Sequence, residues 1–110
     1  MTDRGRIVVV AAGFALWAGG RCVAAARWSD IRRLHARRHA APGDALALVV
    51  ELVDGSRMEL HEQAPGFDAF ADRASVTLSG MVPVGDWHHA ATVAGGGSGA
   101  LLFDRSTRRY

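Results

Sequence analysis

The sequence predicts an α+β fold that is mostly β: an antiparallel sheet or partly open barrel of short strands, closed by one short helix. Two observations carry this prediction. Short apolar runs alternate with glycine-containing turn signals along most of the chain, and a single apolar stripe with helical spacing lies in the middle. With 110 residues, 49% of them hydrophobic, the chain has room for one domain, residues 1–110, with one core.

Charge and cysteine content narrow the classes of function. All thirteen basic residues are arginine, and with eleven acidic residues they give a formal net charge of +2. This balance is too even to predict nucleic-acid binding from bulk charge. Exclusive use of arginine is more typical of a GC-rich coding bias than of phosphate binding. The single cysteine, Cys22, excludes an internal disulfide and a cysteine-based zinc site.

The N-terminal apolar run, residues 7–20, could belong to a membrane anchor or to strands. It is shorter than the roughly 18–20 residues of a spanning helix, and extending it would place Arg21 in the bilayer. Glycines also interrupt it where turns would fall. We therefore predict short buried strands at residues 7–11 and 14–17 in a cytoplasmic protein. The alternative is a membrane-associated protein anchored by residues 1–26.

Four segments then continue the β-rich pattern. Residues 18–20, Ala-Gly-Gly, predict a hairpin turn because glycine supplies positive φ, and residues 21–27 predict the returning strand. Three apolar residues in the segment 28–38 lie three apart, which would also suit a helix. No apolar residue extends that stripe, so we predict a turn followed by a strand. Residues 39–44, which include Pro-Gly, predict a loop.

The strongest local signal is a hairpin in residues 44–62. A two-residue turn would set Val50 opposite Glu59 and mix apolar with polar residues on each face. A three-residue loop, with Gly55 in the left-handed position of a bulge, separates the faces. The cross-strand pairs in this register are Val50–Met58, Leu48–Leu60 and Glu51–Arg57. Because the last pair joins opposite charges, turn chemistry, pattern and charge agree only here.

The segment after the hairpin predicts the helix. Pro65 suits a first helical turn, because its φ is fixed and it needs no donor there. Asp68 near the start and Arg73 near the end both favour the helix dipole. The apolar residues at i, i+3, i+4 and i+7 are Phe67, Phe70, Ala71 and Ala74. We predict a two-turn helix lying across the sheet with Phe67 and Phe70 buried.

The C-terminal third is predicted to be less regular. Residues 81–84 are interrupted by a proline and predict no more than an edge segment. Residues 95–99 are almost all glycine and predict a flexible loop, because glycine restricts the backbone least. Residues 100–104 predict a last strand, and residues 106–110 a polar tail.

No arrangement in the sequence predicts catalysis. The pair His61-Glu62 resembles half of a zinc-hydrolase motif, but Pro65 stands where the second histidine would be. No nucleophile, base and oxyanion donor are grouped. We therefore predict no enzyme activity, no metal and no cofactor. A metal-dependent enzyme that uses His61, His88 and His89 is the weakest alternative.

The candidate contacts are basic and aromatic. Four arginines close in sequence form the most concentrated positive segment, which could contact phosphate, an acidic protein surface or lipid headgroups, or be a solvated face. The Trp-His-His sequence is interpreted as a loop whose tryptophan is a core plug or an interface residue, with the histidines at its rim. The candidate binding residues are Arg32, Arg33, Arg37, Arg38, Trp87 and His88.

We expect a non-enzymatic protein-binding module, an adaptor or a toxin-neutralising immunity protein, whose partner is another protein and not nucleic acid. The oligomeric state stays open.

Residues 21–74 carry a resemblance to a known type of protein. The segment "RWSDIRRL", the strand-Asp-Gly-strand hairpin and "HEQAPGFDAF" resemble small bacterial proteins with a pleckstrin-homology-like build. In such proteins a Trp-Ser-Asp-Ile turn links early strands, and a helix closes the sheet. The resemblance implies a binding scaffold without catalytic residues.

Overall fold

Two antiparallel sheets and two short α-helices enclose the core in the computed structural model, which describes residues 5–38, 46–94 and 99–105. The predicted α+β, mostly β, antiparallel class is confirmed. Within the described residues the strands form one three-stranded and one four-stranded sheet, which do not close into a barrel. The predicted loop at residues 39–44, the glycine run at 95–98 and the tail at 106–110 lie outside the described residues.

The first sheet is an N-terminal meander of strands β1 (Arg6–Val9), β2 (Gly13–Ala18) and β3 (Arg21–Arg27), in that order. Gly19 and Gly20 join β2 to β3 with φ of 62° and 78°, the two positive values that a tight hairpin turn needs. The strand interpretation of the apolar run is thus confirmed over the helical anchor.

None of the helices in the described part of the chain is long and apolar enough to cross a membrane.

A short 3₁₀ turn, Trp28–Asp30, joins the two sheets. The Asp30 carboxylate accepts a hydrogen bond from the Arg27 amide at 3.2 Å, which fixes the turn, and the Trp28 ring is buried. Strand β4 (Ile31–Arg38) follows directly. The predicted turn and strand are therefore confirmed, and the helical alternative for this segment is wrong.

The second sheet contains β4 and the strands β5 (Leu46–Leu52), β6 (Arg57–His61) and β7 (Ala100–Asp104), in the order β6-β5-β4-β7. Gly55, with φ of 91°, closes the β5–β6 hairpin. The predicted register is confirmed in full: the observed pairs include Val50–Met58, Leu48–Leu60 and Glu51–Arg57. The predicted last strand, β7, is also confirmed, and it pairs with β4 at the opposite side of the sheet.

Gly66 shapes the corner between β6 and the first helix, α1 (Phe67–Thr77). Its φ is 92°, and a Cβ there would overlap the carbonyl oxygen of Ile7. The amide of Ile7 in turn donates to the Pro65 carbonyl at 2.8 Å, so the corner holds β1 in place. Pro65 precedes the helix, and the helix is about a turn longer than predicted.

A second helix, α2 (Trp87–Ala94), was not expected from the sequence. The loop interpretation of Trp87-His88-His89 is wrong, because these residues form its first turn. The helix packs on β4 and β7 through Trp87 and Ala91, which are one turn apart and both buried. Because the helix is only eight residues long and a glycine run follows it, its periodicity is too short to identify in the sequence.

An aromatic cluster joins the two sheets and α1 at the centre of the core. The ring of Phe14 lies 5.2 Å from that of Trp28 and 5.0 Å from that of Phe70, measured between centroids. The Phe14–Phe70 pair is edge-to-face, a favourable geometry for aromatic rings. Phe70 is fully buried and Phe67 nearly so, as predicted, while Leu60 points inward and its neighbour His61 is half-buried on the opposite face.

Candidate protein-binding surfaces

Two of the predicted contact arginines are held by acidic neighbours on the outer face of the second sheet. Arg33 Nη1 lies 3.0 Å from Glu51 Oε1, and Arg33 Nε lies 3.3 Å from Asp104 Oδ2. These hydrogen bonds, with Glu51 first and Asp104 second, raise the pKa of Arg33 above its ordinary value. Arg37 Nη2 lies 2.8 Å from Glu59 Oε2. Both arginines are therefore paired within the protein.

The pairing of Arg33 belongs to a row of alternating charges that crosses the whole sheet. Successive strands contribute Arg57, Glu51, Arg33 and Asp104, in the order β6, β5, β4 and β7. Arg57 completes the row with its Nη2 3.8 Å from Glu51 Oε2. We call these four residues the charge ladder. Because each positive group has an acidic neighbour, this face presents little net charge to a ligand.

The four predicted arginines therefore do not form a single positive patch. Arg33 and Arg37 belong to the outer face of the sheet, whereas Arg32 is half-buried beside an irregularity in the β4–β5 register. Arg38 is exposed at the end of β4. Strand geometry explains why the four arginines are separated. Successive side chains of a strand point to opposite faces of the sheet, so residues adjacent in sequence do not share one surface.

Trp87 lies in the core, which confirms the core-plug alternative. Its side chain is 1% exposed, its Nε1 donates to the Val82 carbonyl at 2.8 Å, and Phe67 packs edge-on against it. It therefore offers no surface to a partner, which corrects its inclusion among the binding residues. The side chain of His88 lies outside the described part of the structure, and that of His89 is exposed.

The histidines on the second sheet do not assemble a metal centre. Among the side chains that the structure describes, no three histidine, cysteine or acidic residues are grouped closely enough to hold a metal ion. His61 Nε2 lies 3.5 Å from Glu59 Oε1. His35 lines a groove of about 350 Å³ together with residues of the charge ladder. The arginines and carboxylates of this face thus interact mainly with one another.

The outer face of the first sheet has the opposite character. Val8, Ala15 and Ala25 form one transverse row across its three strands, and Val10 beside them is 56% exposed. Together these residues line a groove of about 410 Å³, which we call the apolar groove. The groove also contains Gly13, and the polar residues Arg27 and Asp30 contribute to its lining.

Sequence reasoning missed the apolar groove because it interpreted the whole N-terminal run as buried. The available signal was apolar residues at consecutive positions, since Ile7 and Val9 pack on the core and leave Val8 and Val10 on the other face. A strand that is apolar on both faces needs cover on both. In the described residues only the inner face has it.

Comparison of the chain with protein-family models, with curated proteins and with solved structures found no match. The two sheet faces differ in their chemistry, and this difference bears on function. One is polar and internally paired, and the other is apolar and open.

Proposed function

We propose that the protein is a non-enzymatic protein-binding module whose contact surface is the apolar groove. The observation that carries the proposal is that no described element covers Val8, Val10 and Ala25. Burying apolar surface against a partner is favourable, and an exposed apolar patch rimmed by polar groups is typical of interaction sites. A small domain gains most from a partner that covers such a face.

The shape of the groove also supports a protein partner. Its lining includes the small residues Ala15 and Ala25, so an inserted side chain can approach the backbone of β2 and β3 closely. Arg27 and Asp30 lie at one end, with Arg27 Nε 3.8 Å from Asp30 Oδ2. The Arg27 side chain is mostly exposed and the Asp30 side chain is partly exposed. An apolar centre with a polar border is the usual anatomy of a protein interface, and an aliphatic or aromatic side chain is its usual anchor.

The experiment compares two matched substitutions in the full-length protein. Ala25→Gln places a larger polar side chain in the groove, and Leu101→Gln makes the same kind of change at a 48% exposed position on the other sheet. Each tagged protein is used to capture partners from its host. We expect Ala25→Gln to reduce recovery of a specific partner at least tenfold and Leu101→Gln to leave it unchanged.

Circular dichroism and thermal unfolding confirm that both variants fold before capture is compared. Equal recovery by both variants, or loss only with Leu101→Gln, would contradict the groove as the contact surface. An adaptor and a toxin-neutralising protein are two forms of the proposed function. They differ in the partner recovered, since only a toxin-neutralising protein captures a toxin. A toxin gene beside the gene for this protein would support the toxin-neutralising form.

A further inference from the structure

We infer that the partner binds as an added β-strand along the open edge of β3, and that this strand has an acidic residue near each end. The inference rests on the proposed protein-binding function and names the chemistry of the partner. It comes from three features of β3: the direction of its backbone groups, its exposed side chains and the placement of its arginines.

The backbone of β3 has donors and acceptors directed away from the sheet. The Trp28 amide donates toward the β2 side, to the Ala12 carbonyl at 3.2 Å, whereas the Arg27 amide points the other way, to the Asp30 carboxylate at 3.2 Å. Backbone groups alternate along an antiparallel strand, so the amide and carbonyl of Ala25 face the same side as the Arg27 amide. No described strand pairs with β3 there.

The other sheet edges are less suited to an added strand. On β3 the outward amide that is engaged, that of Arg27 with Asp30, belongs to the last residue of the strand. Within β1, by contrast, the Ile7 amide already donates to Pro65, and at the middle of β7 the Leu102 carbonyl accepts from Val82 at 3.0 Å. Along β6 the outward positions carry charged or ionisable side chains, which natural proteins use to prevent edge pairing. The middle of β3 carries small apolar side chains, and its exposed positions include Val23 and Ala25.

Arginines mark both ends of this edge. Arg21 and Arg27 are the first and last residues of β3, and both are exposed. Arg27 is also 3.8 Å from Asp30, measured from Nε to Oδ2, but its side chain is 76% exposed and therefore accessible to a second acidic group. They pair with Ala18 and Gly13 of β2, and Val23 is the extra residue of a bulge between them. A regular strand added to β3 would therefore place acidic residues five or six positions apart opposite the two arginines. Opposite charges at facing positions stabilise strand pairing.

The same charges disfavour two other occupants of the edge. A second copy in full antiparallel overlap would set Arg21 against Arg27 at both ends, and a parallel copy would set each arginine against itself, which is destabilising. A lipid surface would supply anionic headgroups but no hydrogen-bond partners for the edge backbone, whose burial in hydrocarbon is costly. A protein strand with acidic ends satisfies both the charges and the backbone.

Strand addition also explains how the apolar groove is filled. The row Val8–Ala15–Ala25 ends at the open edge of β3. A residue of an added strand that lies beside Ala25 continues this row on the same face. Its side chain, if apolar, covers the groove, so main-chain hydrogen bonds supply affinity and this side chain supplies specificity.

The test begins with selection of random twelve-residue peptides on the immobilised full-length protein. We expect enriched peptides to carry acidic residues five or six positions apart around a β-branched or aromatic core. A synthetic peptide of this kind is then N-methylated at one position at a time. Binding should be lost at every second position, because alternate amides face β3. Peptides without the acidic pair, or an N-methyl scan without this period, would overturn the inference.

Substitutions in the protein test the same contacts from the other side. We expect the double variant Arg21→Glu/Arg27→Glu to weaken peptide binding at least tenfold, and a peptide with lysines in place of its acidic residues to restore it. Ala25→Pro removes an edge-facing amide, a change that edge strands tolerate, and should abolish binding, while Ala25→Ser should not. Circular dichroism verifies that every variant folds.

Vesicle binding and sedimentation analysis test whether a membrane or a second copy of the chain occupies the edge instead. Binding to phosphatidylserine-containing vesicles that needs the arginines but survives Ala25→Pro would overturn strand addition in favour of a membrane surface. A dimer in sedimentation analysis that Ala25→Pro dissociates would overturn it in favour of a second copy. A native partner lost with Ala25→Gln but retained by Arg21→Glu/Arg27→Glu and by Ala25→Pro would leave the proposed function standing and refute this inference alone.

Discussion

Arg37 on β4 reaches over strand β5 to Glu59 on β6, with its Nη2 2.8 Å from Glu59 Oε2. Ala47 of β5 lies between the two strands on the outer face of the sheet, yet it is fully buried. Its neighbours in the pairing register are Arg37 and His61, and we expect the aliphatic stem of Arg37 to cover its methyl group. On this expectation the ion pair needs a small residue at position 47.

The Arg37–Glu59 pair gives the first prediction. A double-mutant cycle with Arg37→Ala and Glu59→Ala, measured by urea unfolding, should give a coupling free energy of about 0.2–1 kcal/mol, as expected for a partly exposed pair. In an Ala47→Ile background the coupling should vanish, because the larger side chain blocks the path of Arg37. Undiminished coupling in that background would show that the pair does not need the small residue.

The second prediction concerns the pH dependence of the β5–β6 turn. The Ser56 hydroxyl donates to Asp54 Oδ1 at 2.6 Å and the Ser56 amide donates to the same atom at 2.8 Å. The hydroxyl first, and the amide second, lower the pKa of Asp54 below its ordinary value of 3.8. Ser56→Ala should raise the pKa of Asp54 toward that value, as measured by a carboxyl-carbon NMR titration.

The sign of the stability effect follows from this lowered pKa. A carboxylate whose pKa is depressed by folding stabilises the protein above its unfolded pKa, and this contribution disappears as the pH falls through the folded pKa. The stability difference between wild type and Ser56→Ala should thus be constant near neutral pH and shrink below pH 3.8. A stability difference between the two proteins that grows on acidification would contradict this prediction.

The third prediction separates core from contact on α2. Because Trp87 is 1% exposed, Trp87→Ala should lower the free energy of unfolding by about 3–5 kcal/mol. His89→Ala, at an exposed position two residues along the same helix, should change it by no more than about 0.5 kcal/mol. Urea unfolding checks both values. A small loss for Trp87→Ala would return that residue to the list of surface contacts.

The fourth prediction concerns three glycines. Gly85→Ala should be tolerated, because Gly85 has no positive φ and a Cβ there meets nothing within 4 Å. Gly80→Ala, at φ of 82° in open space, should cost about 1–2 kcal/mol for the left-handed backbone alone. Gly66→Ala should cost more than Gly80→Ala, because its Cβ also overlaps the Ile7 carbonyl. Equal losses at positions 66 and 80 in thermal unfolding would show that the overlap is relieved without cost.

The elements that the sequence predicted well are those in which neighbouring residues decide the outcome. The β5–β6 register followed from Gly55 and from the facing pair Glu51–Arg57, both within one hairpin. The helix α1 followed from Phe67 and Phe70 at helical spacing after a proline. In each case pattern, turn chemistry and charge favoured the same structure, and no distant contact was needed to choose between alternatives.

The features that were missed depend on contacts between distant segments. Arg33 was expected to face a partner, but it is paired with Asp104, which reaches it only because β7 returns to β4. The open outer face of the first sheet arises because the two sheets stay separate beyond Trp28, which no local pattern specifies. Single-sequence reasoning has no access to which surfaces remain uncovered, and the candidate site was missed for that reason.

The hydrogen bond from Ile7 to Pro65 has a consequence for how the protein is made. The N-terminal strand reaches its place only once the corner at Pro65 and Gly66 exists, and that corner is synthesised more than half a chain later. Closing so long a loop is slow relative to forming a local hairpin. The apolar meander therefore leaves the ribosome well before its docking site, and chaperone capture of the nascent chain should be strongest in that interval.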